Sequence, residues 1–215
     1  MADEGATPRT VVAAFDFDRT LTTRDSVVPF VLAAVGRRRL AVQLARSPLQ
    51  VATALVRRDR DGLRAVGTRA FAGCPVDEVA SVAAAFAADA LAAALRPDTV
   101  ARLRSHVAAG HRVVIVSASY EEYLRPIAAD LGVEAVLSSR LAIADGRCTG
   151  LLEGANCRAA EKVRRVEAWL DAEGLRRDGV VVYAYGDSVG DRELLSWADH
   201  ATWIGREPIS ASFAG

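Results

Sequence analysis

The chain has 215 residues, 51% hydrophobic and 25% charged, enough for one full core or a core with a small accessory domain of ordinary globular composition. Lysine plus arginine equals aspartate plus glutamate, 27 each, which gives no support to a nucleic-acid-binding protein. Three cysteines cannot all pair within one chain and none is spaced from a histidine as zinc ligands are, so Cys74, Cys148 and Cys157 read as reduced thiols of a cytoplasmic protein.

The start, Met1 to Thr10, is acidic and polar and does not read as a signal peptide. Val11 to Phe15 is an apolar run of the kind buried in a parallel sheet. It leads into Asp16-Phe17-Asp18-Arg19-Thr20, which places two carboxylates at the carboxyl end of a strand, where open α/β sheets hold their chemistry. Side chains alternate along a strand, but a chain leaving the sheet can curl so that both carboxylates reach one site. Such a pair suits a hard divalent cation and a carboxylate nucleophile with an acid/base beside it. It is equally the composition of a polar turn.

Between Ser26 and Arg96 the sequence holds no convincing strand. Ser26 to Val35, Leu40 to Val56, Gly62 to Phe71 and Val76 to Leu95 read as helices, with Pro29 and Pro48 marking starts or kinks. No charge-free apolar run reaches the roughly 18 residues of a membrane span. Val76 to Leu95 comes nearest, but Asp77, Glu78 and Asp89 interrupt it, and its alanines predict a buried helix. The clusters Arg37-Arg38-Arg39 and Arg57-Arg58 with Arg60 read as solvated helix ends, or as contacts for acidic lipid headgroups or an anionic substrate.

From Ala94 onward strand and helix signals alternate, which predicts a parallel α/β sheet. A helix from Pro97 to Val107 ends at Gly110. A strand then runs to Ser117, a helix from Glu121 to Leu131 stops at Gly132, and Ala135 to Leu137 forms a short strand. Asp145-Gly146 signals a hairpin within Leu141 to Leu152. A helix carrying Val163, Val166, Trp169 and Leu170 on one face closes near Gly174. A strand to Tyr185 and a short piece from Ala201 to Ile204 complete the sheet. Trp169, Trp197 and Trp203 are expected in the core, and His106, His111 and His200 at packing or surface positions.

Three of these elements add polar groups at the same sheet edge. Ser117 ends a strand and can donate to a phosphoryl oxygen, while Ser119 suits a helix cap. Lys162, the sole lysine of the chain, stands near a helix amino end, where the dipole disfavours a cation. It is therefore either solvated or paired with an anion. Gly186-Asp187-Ser188-Val189-Gly190-Asp191 ends the third strand. Asp191 there could be a helix cap; Asp187 has no such role.

In this order, Asp-x-Asp-x-Thr, a strand ending in Ser, a Lys at a helix start and Gly-Asp-Ser-x-Gly-Asp resemble the haloacid dehalogenase superfamily from Val11 to about Ile204. The long insertion after the first motif resembles its phosphoserine-phosphatase-like branch. The resemblance implies a Rossmann-like parallel core of residues 1–24 and 96–215, with a helical cap of residues 25–95 that closes over the site. It implies a phosphomonoesterase working through an aspartyl phosphate on a small phosphorylated metabolite. Asp16 would be the nucleophile and Asp18 the acid and base. Mg²⁺ would be held by Asp16, the Asp18 backbone carbonyl and Asp187, with Asp191 in support. Ser117, Ala118, Lys162 and Thr20 would hold or position the phosphate.

Arg19 departs from the small residue common at its position, and its side chain is expected to point away from the phosphate. For the substrate, Asp25 stands near a family glutamate position, and Arg64 or Arg69 could supply a cap arginine. Ser117-Ala118-Ser119 departs from the Ser-Gly-Gly of phosphoserine phosphatases. Phosphoserine, a lipid phosphate or another metabolite, and a non-catalytic phosphate-binding regulator, therefore stay open, as does the oligomeric state.

Overall fold

A computed structural model describes residues 9–210 and residue 212; for residues 90–92 it describes the backbone alone. The polar start, residues 1–8, lies outside the described residues.

Five strands form one parallel sheet: β1 (Thr10–Phe15), β2 (Arg112–Tyr120), β3 (Ala135–Ser139), β6 (Val180–Gly186) and β7 (His200–Trp203), in the order β3-β2-β1-β6-β7. β1 is central, flanked by β2 and β6, so three sequence-distant strand ends open side by side. The period of two along β1 sends Ala13 and Phe15 to one apolar layer and Val12 and Ala14 to the other. Helices α5 (Pro97–Ala108), α6 (Glu121–Leu131), α7 (Ala160–Ala172) and α8 (Arg192–Trp197) complete the alternation with the strands. β4 (Leu141–Ala144) and β5 (Arg147–Leu152) form the expected hairpin. Its two-residue turn has positive φ at both Asp145 and Gly146, the backbone that matches strand twist.

Helices α1 (Val27–Ala45), α2 (Pro48–Arg57), α3 (Arg60–Thr68) and α4 (Val76–Phe86) fill the interval between β1 and β2. The chain segments entering and leaving this insert pair with each other, Thr23 N donating to Ala94 O and Arg96 N to Leu21 O. Gly73, Cys74 and Val76 bond to the β5 hairpin through Cys148 and Gly146. Backbone hydrogen bonds thus tie the insert down both at its base and at the β5 hairpin.

Several local expectations are corrected. The first helix runs past Val35 and kinks at Gly36 (φ +77°), and Pro48 opens a separate α2, so Leu40 to Val56 is not one helix. Val76 to Leu95 breaks after Phe86 into π and 3-10 turns, and α4 buries only Val79 and Ala83, one stripe rather than a whole helix. Trp203 is 53% exposed. Trp169 and Trp197 do pack against the core, half-buried beneath the guanidinium groups of Arg112 and Arg177, 4.8 and 4.5 Å from the ring centroids. His106 holds a packing position, in line with the sequence reading, buried between Tyr185 Oη, 2.8 Å from its Nε2, and His111.

Candidate active site

The chain leaves β1 in a tight turn. Asp16 N donates to Tyr185 O, and Phe17 O accepts the amides of Thr20, Leu21 and Thr22. The curl requires positive φ at Arg19 (φ +61°), whose side chain is exposed, and Thr22 Oγ1 accepts the Arg19 amide. By this curl both carboxylates turn inward: Asp16 is buried and Asp18 half-buried.

Lys162 has the anionic partners that its place on the helix demands. It is 2% exposed, with Nζ 2.6 Å from Asp16 Oδ1 and 2.5 Å from Asp191 Oδ1. Burial alone would lower the ammonium pKa, but the Asp16 and Asp191 charges hold it above its ordinary value. Burial pushes Asp16 upward against the pull of Lys162. Asp191 is held low despite burial, because Lys162 and Ser188 bind its charged form. Ala159, before α7, adopts φ +54° and donates its amide to Gly190 O, tying the Lys162 and Asp191 loops together. Gly186 is obligatory there: an added Cβ would lie 2.5 Å from Asp191 Cβ. Asp191 does not cap α8 with its side chain. Its Oδ2 instead accepts the Ser188 amide and hydroxyl and the Asp187 amide.

Carboxylate oxygens of Asp16, Asp187 and Asp191 lie within 4.8 Å of one another. Burial, then the Asp16 and Asp191 charges, raises Asp187 to about 6. Three carboxylates face one ammonium, so the cluster lacks two positive charges, which matches a divalent cation with oxygen ligands.

Asp18 sits in a clamp that the sequence did not reveal. Its Oδ1 accepts the Ser26 amide at 2.9 Å and the Ser26 hydroxyl at 2.5 Å, and its Oδ2 accepts the Ser119 hydroxyl at 2.8 Å. The buried Tyr123 Oη is 2.7 Å from Ser26 Oγ. Burial first, then the Asp25 charge, lifts Asp18 to about 7, with the Ser26 and Ser119 donors opposing. Ser119 is therefore no helix cap. β2 runs on to Tyr120, and Tyr120 precedes α6 without a side-chain capping bond. Ser26 stands at the α1 N-cap position yet spends its hydroxyl on Asp18.

Ser117 is buried at the same edge; its Oγ accepts the Ser119 amide at 3.2 Å, and its own proton has no acceptor among the described residues. Ala118 beside it is half-buried. The Thr20 hydroxyl is buried with no partner among the described residues. Asp25 is exposed, and its Oδ1 accepts the Val27 amide at 3.1 Å. Arg64 lays its guanidinium 3.8 Å from the Tyr120 ring centroid, with Nε and Nη2 buried and without a hydrogen-bond partner among the described residues. Arg69 donates instead to Gln50 of α2.

The sequence profile of the haloacid dehalogenase-like hydrolases matches residues 13–196, from β1 through α8. The chain belongs to that family. Among curated relatives it is similar to protein CicA of Caulobacter vibrioides, 39% identical over 191 residues, 88% of this chain and 83% of that protein. It is 28% identical over 206 residues to a probable phosphatase of Mycobacterium tuberculosis, covering 93% of this chain and 71% of that protein. A substrate-bound phosphoserine phosphatase shares the fold at a TM-score of 0.62, with 16% identity over 91% of this chain and 86% of that one. This haloacid dehalogenase-like hydrolase thus has the architecture of the phosphoserine phosphatase branch. Among its described residues no helix is long and apolar enough to cross a membrane.

Proposed function

We propose that this hydrolase is a Mg²⁺-dependent phosphomonoesterase acting through an aspartyl phosphate at Asp16. The observation that carries this reading is the buried Lys162 ammonium bridging Asp16 and Asp191 beside Asp187. It makes an anion-accepting centre around a carboxylate nucleophile. Two negative species must meet in phosphoryl transfer, so the barrier is largely electrostatic.

Asp16 and Asp187, with the Asp18 backbone carbonyl, would hold Mg²⁺. Asp191, its oxygens already engaged by Lys162, Ser188 and the Asp187 amide, would support them. The ion supplies charge neutralisation at the phosphoryl oxygens. A carboxylate oxygen of Asp16 attacks phosphorus, and the bond from phosphorus to the ester oxygen breaks. Asp18 gives its proton to the leaving alkoxide. It then takes a proton from the water that attacks the same phosphorus, which frees the Asp16 carboxylate and releases inorganic phosphate. A carboxyl poised near neutrality serves both roles. Lys162, the Ser117 hydroxyl proton, Thr20 and the backbone at Ala118 would hold the phosphoryl oxygens.

Residues 25–95 would act as the cap. Arg64, with buried donors lacking partners, favours a substrate bearing a second anionic group, and Asp25 stands close enough to raise Asp18 and to meet a substrate cation. The test is turnover of an aryl phosphate with Mg²⁺ by wild type and by Asp16→Asn. Wild type is expected to hydrolyse it and to yield an acid-stable phosphoenzyme. The variant is expected to retain less than about a hundredth of kcat, since loss of a nucleophile costs several orders of magnitude. Phosphate binding without turnover in wild type would instead mark a binding protein on a phosphatase scaffold.

A further inference from the structure

The insert carries a surface that its own fold leaves uncovered. From Arg37 to Arg58 the chain has Arg37, Arg38, Arg39, Arg46, Arg57 and Arg58 and no acidic residue, in a protein of net charge zero. All six arginines are exposed. Arg39 donates to Ala72 O, and none of the six joins an ion pair among the described residues. The acids next in sequence are engaged elsewhere: Asp59 accepts the Gly62 amide, and Asp61 accepts from Asn156 and faces Arg158.

Between the arginines stand aliphatic side chains in water. Leu49 is 80% exposed, Leu55 60% and Val56 85%, with Val42 and Leu44 exposed beside them. Of α2 only Ala54 is buried, against α3, where a Cβ on Gly62 would lie 3.3 Å from Ala54 Cβ. Exposed aliphatic side chains interleaved with arginines that join no ion pair suit a contact face.

We infer that the elbow of α1 and α2 docks this hydrolase on an anionic lipid bilayer. The charge argues for it: an anionic leaflet attracts the arginines while its acyl boundary takes the leucines and valines. A second copy meeting the same face across a two-fold axis would set arginine cluster against arginine cluster. With no described helix long and apolar enough to span, the elbow lies on the surface. The insert that would shape the substrate pocket then faces the lipid. The inference does not depend on the catalytic reading, because vesicle binding is measured without turnover.

The experiment is co-sedimentation of the full chain with vesicles of phosphatidylcholine, with and without phosphatidylglycerol. Wild type is expected on the anionic vesicles only and to be released as salt rises, since screening shortens to about 3 Å at 1 M. The set Arg46→Gln, Arg57→Gln and Arg58→Gln is expected to weaken partitioning about a hundredfold, each arginine near an anionic surface being worth roughly fivefold. The independent set Leu49→Ser, Leu55→Ser and Val56→Ser is expected to abolish binding. Thermal melting checks that both fold, and the wild-type salt series needs no variant. Equal binding to both vesicle types, no binding to either, or retention by either folded set overturns the inference. So does a wild-type dimer in light scattering that the serine set dissolves.

Discussion

The Ser119 hydroxyl donates to Asp18 Oδ2 at 2.8 Å across 101 positions of sequence. The end of β2 therefore grips the carboxyl that the turn after β1 presents, and Ser26 grips its other oxygen. Held at both oxygens, Asp18 has one orientation.

If that orientation serves proton transfer to the leaving group, Ser119→Ala should slow an alkyl phosphate about tenfold, part of the hundredfold or more that general acid–base catalysis supplies. An aryl phosphate, whose leaving group needs no proton, should lose little in the first step, and Ser119→Thr should restore the rate. Equal losses on both substrates in single-turnover kinetics would assign Ser119 to packing alone.

Asp18 also carries a stability cost with a definite sign. Its folded pKa of about 7 lies above its ordinary 3.8, because of burial and then the Asp25 charge. The folded state therefore holds the proton more tightly, and stability falls as pH rises between those values. Asp18→Asn has no charge to bury and should exceed wild type at about pH 8 by roughly 2–4 kcal/mol, one pKa unit being worth about 1.4 kcal/mol. The gain should fade toward about pH 4. Urea melts at both ends of the window decide it; a variant weaker than wild type at the alkaline end sinks the idea.

Mg²⁺ should raise the melting temperature, because the cluster of Asp16, Asp187 and Asp191 around one ammonium lacks positive charge. Saturation at about 100 times Kd corresponds to about 2.7 kcal/mol. Asp187→Ala should erase the shift while leaving a folded protein, since Asp187 is half-buried and its carboxylate has no hydrogen-bond or ion-pair partner among the described residues. An identical shift in the variant would move the metal elsewhere.

Arg64→Ala tests the substrate. Its loss removes a contact on Tyr120 but also two buried donors without partners, so stability should change by less than about 1 kcal/mol. With a substrate carrying a carboxylate beyond its phosphate, kcat/KM should fall by about 2–5 kcal/mol, the cost of an unpaired charge in a closed pocket. Arg69→Ala should change little, because Arg69 is spent on Gln50. A screen of phosphorylated metabolites in which neither variant alters any kcat/KM removes both arginines from recognition.

The sequence by itself determined the sheet and the edge at which its polar motifs gather. Apolar runs ending in Asp16, Ser117 and Asp187 are local patterns, and a strand's two-residue period with its punctuating turn is written in adjacent residues. Sequence spacing also placed Lys162 at a helix start, where a cation needs an anion. Which anions these are was decided 146 positions away at Asp16 and 29 away at Asp191, by the order β2-β1-β6 that sets three strand ends abreast. The same holds for Ser26 and Ser119. Each sits where a helix cap is plausible, and a hydroxyl bonds whichever acceptor the tertiary fold brings within reach. The half-buried Asp18 carboxylate outcompetes a solvent-facing helix end because its unmet charge away from bulk water costs more than an uncapped amide in water.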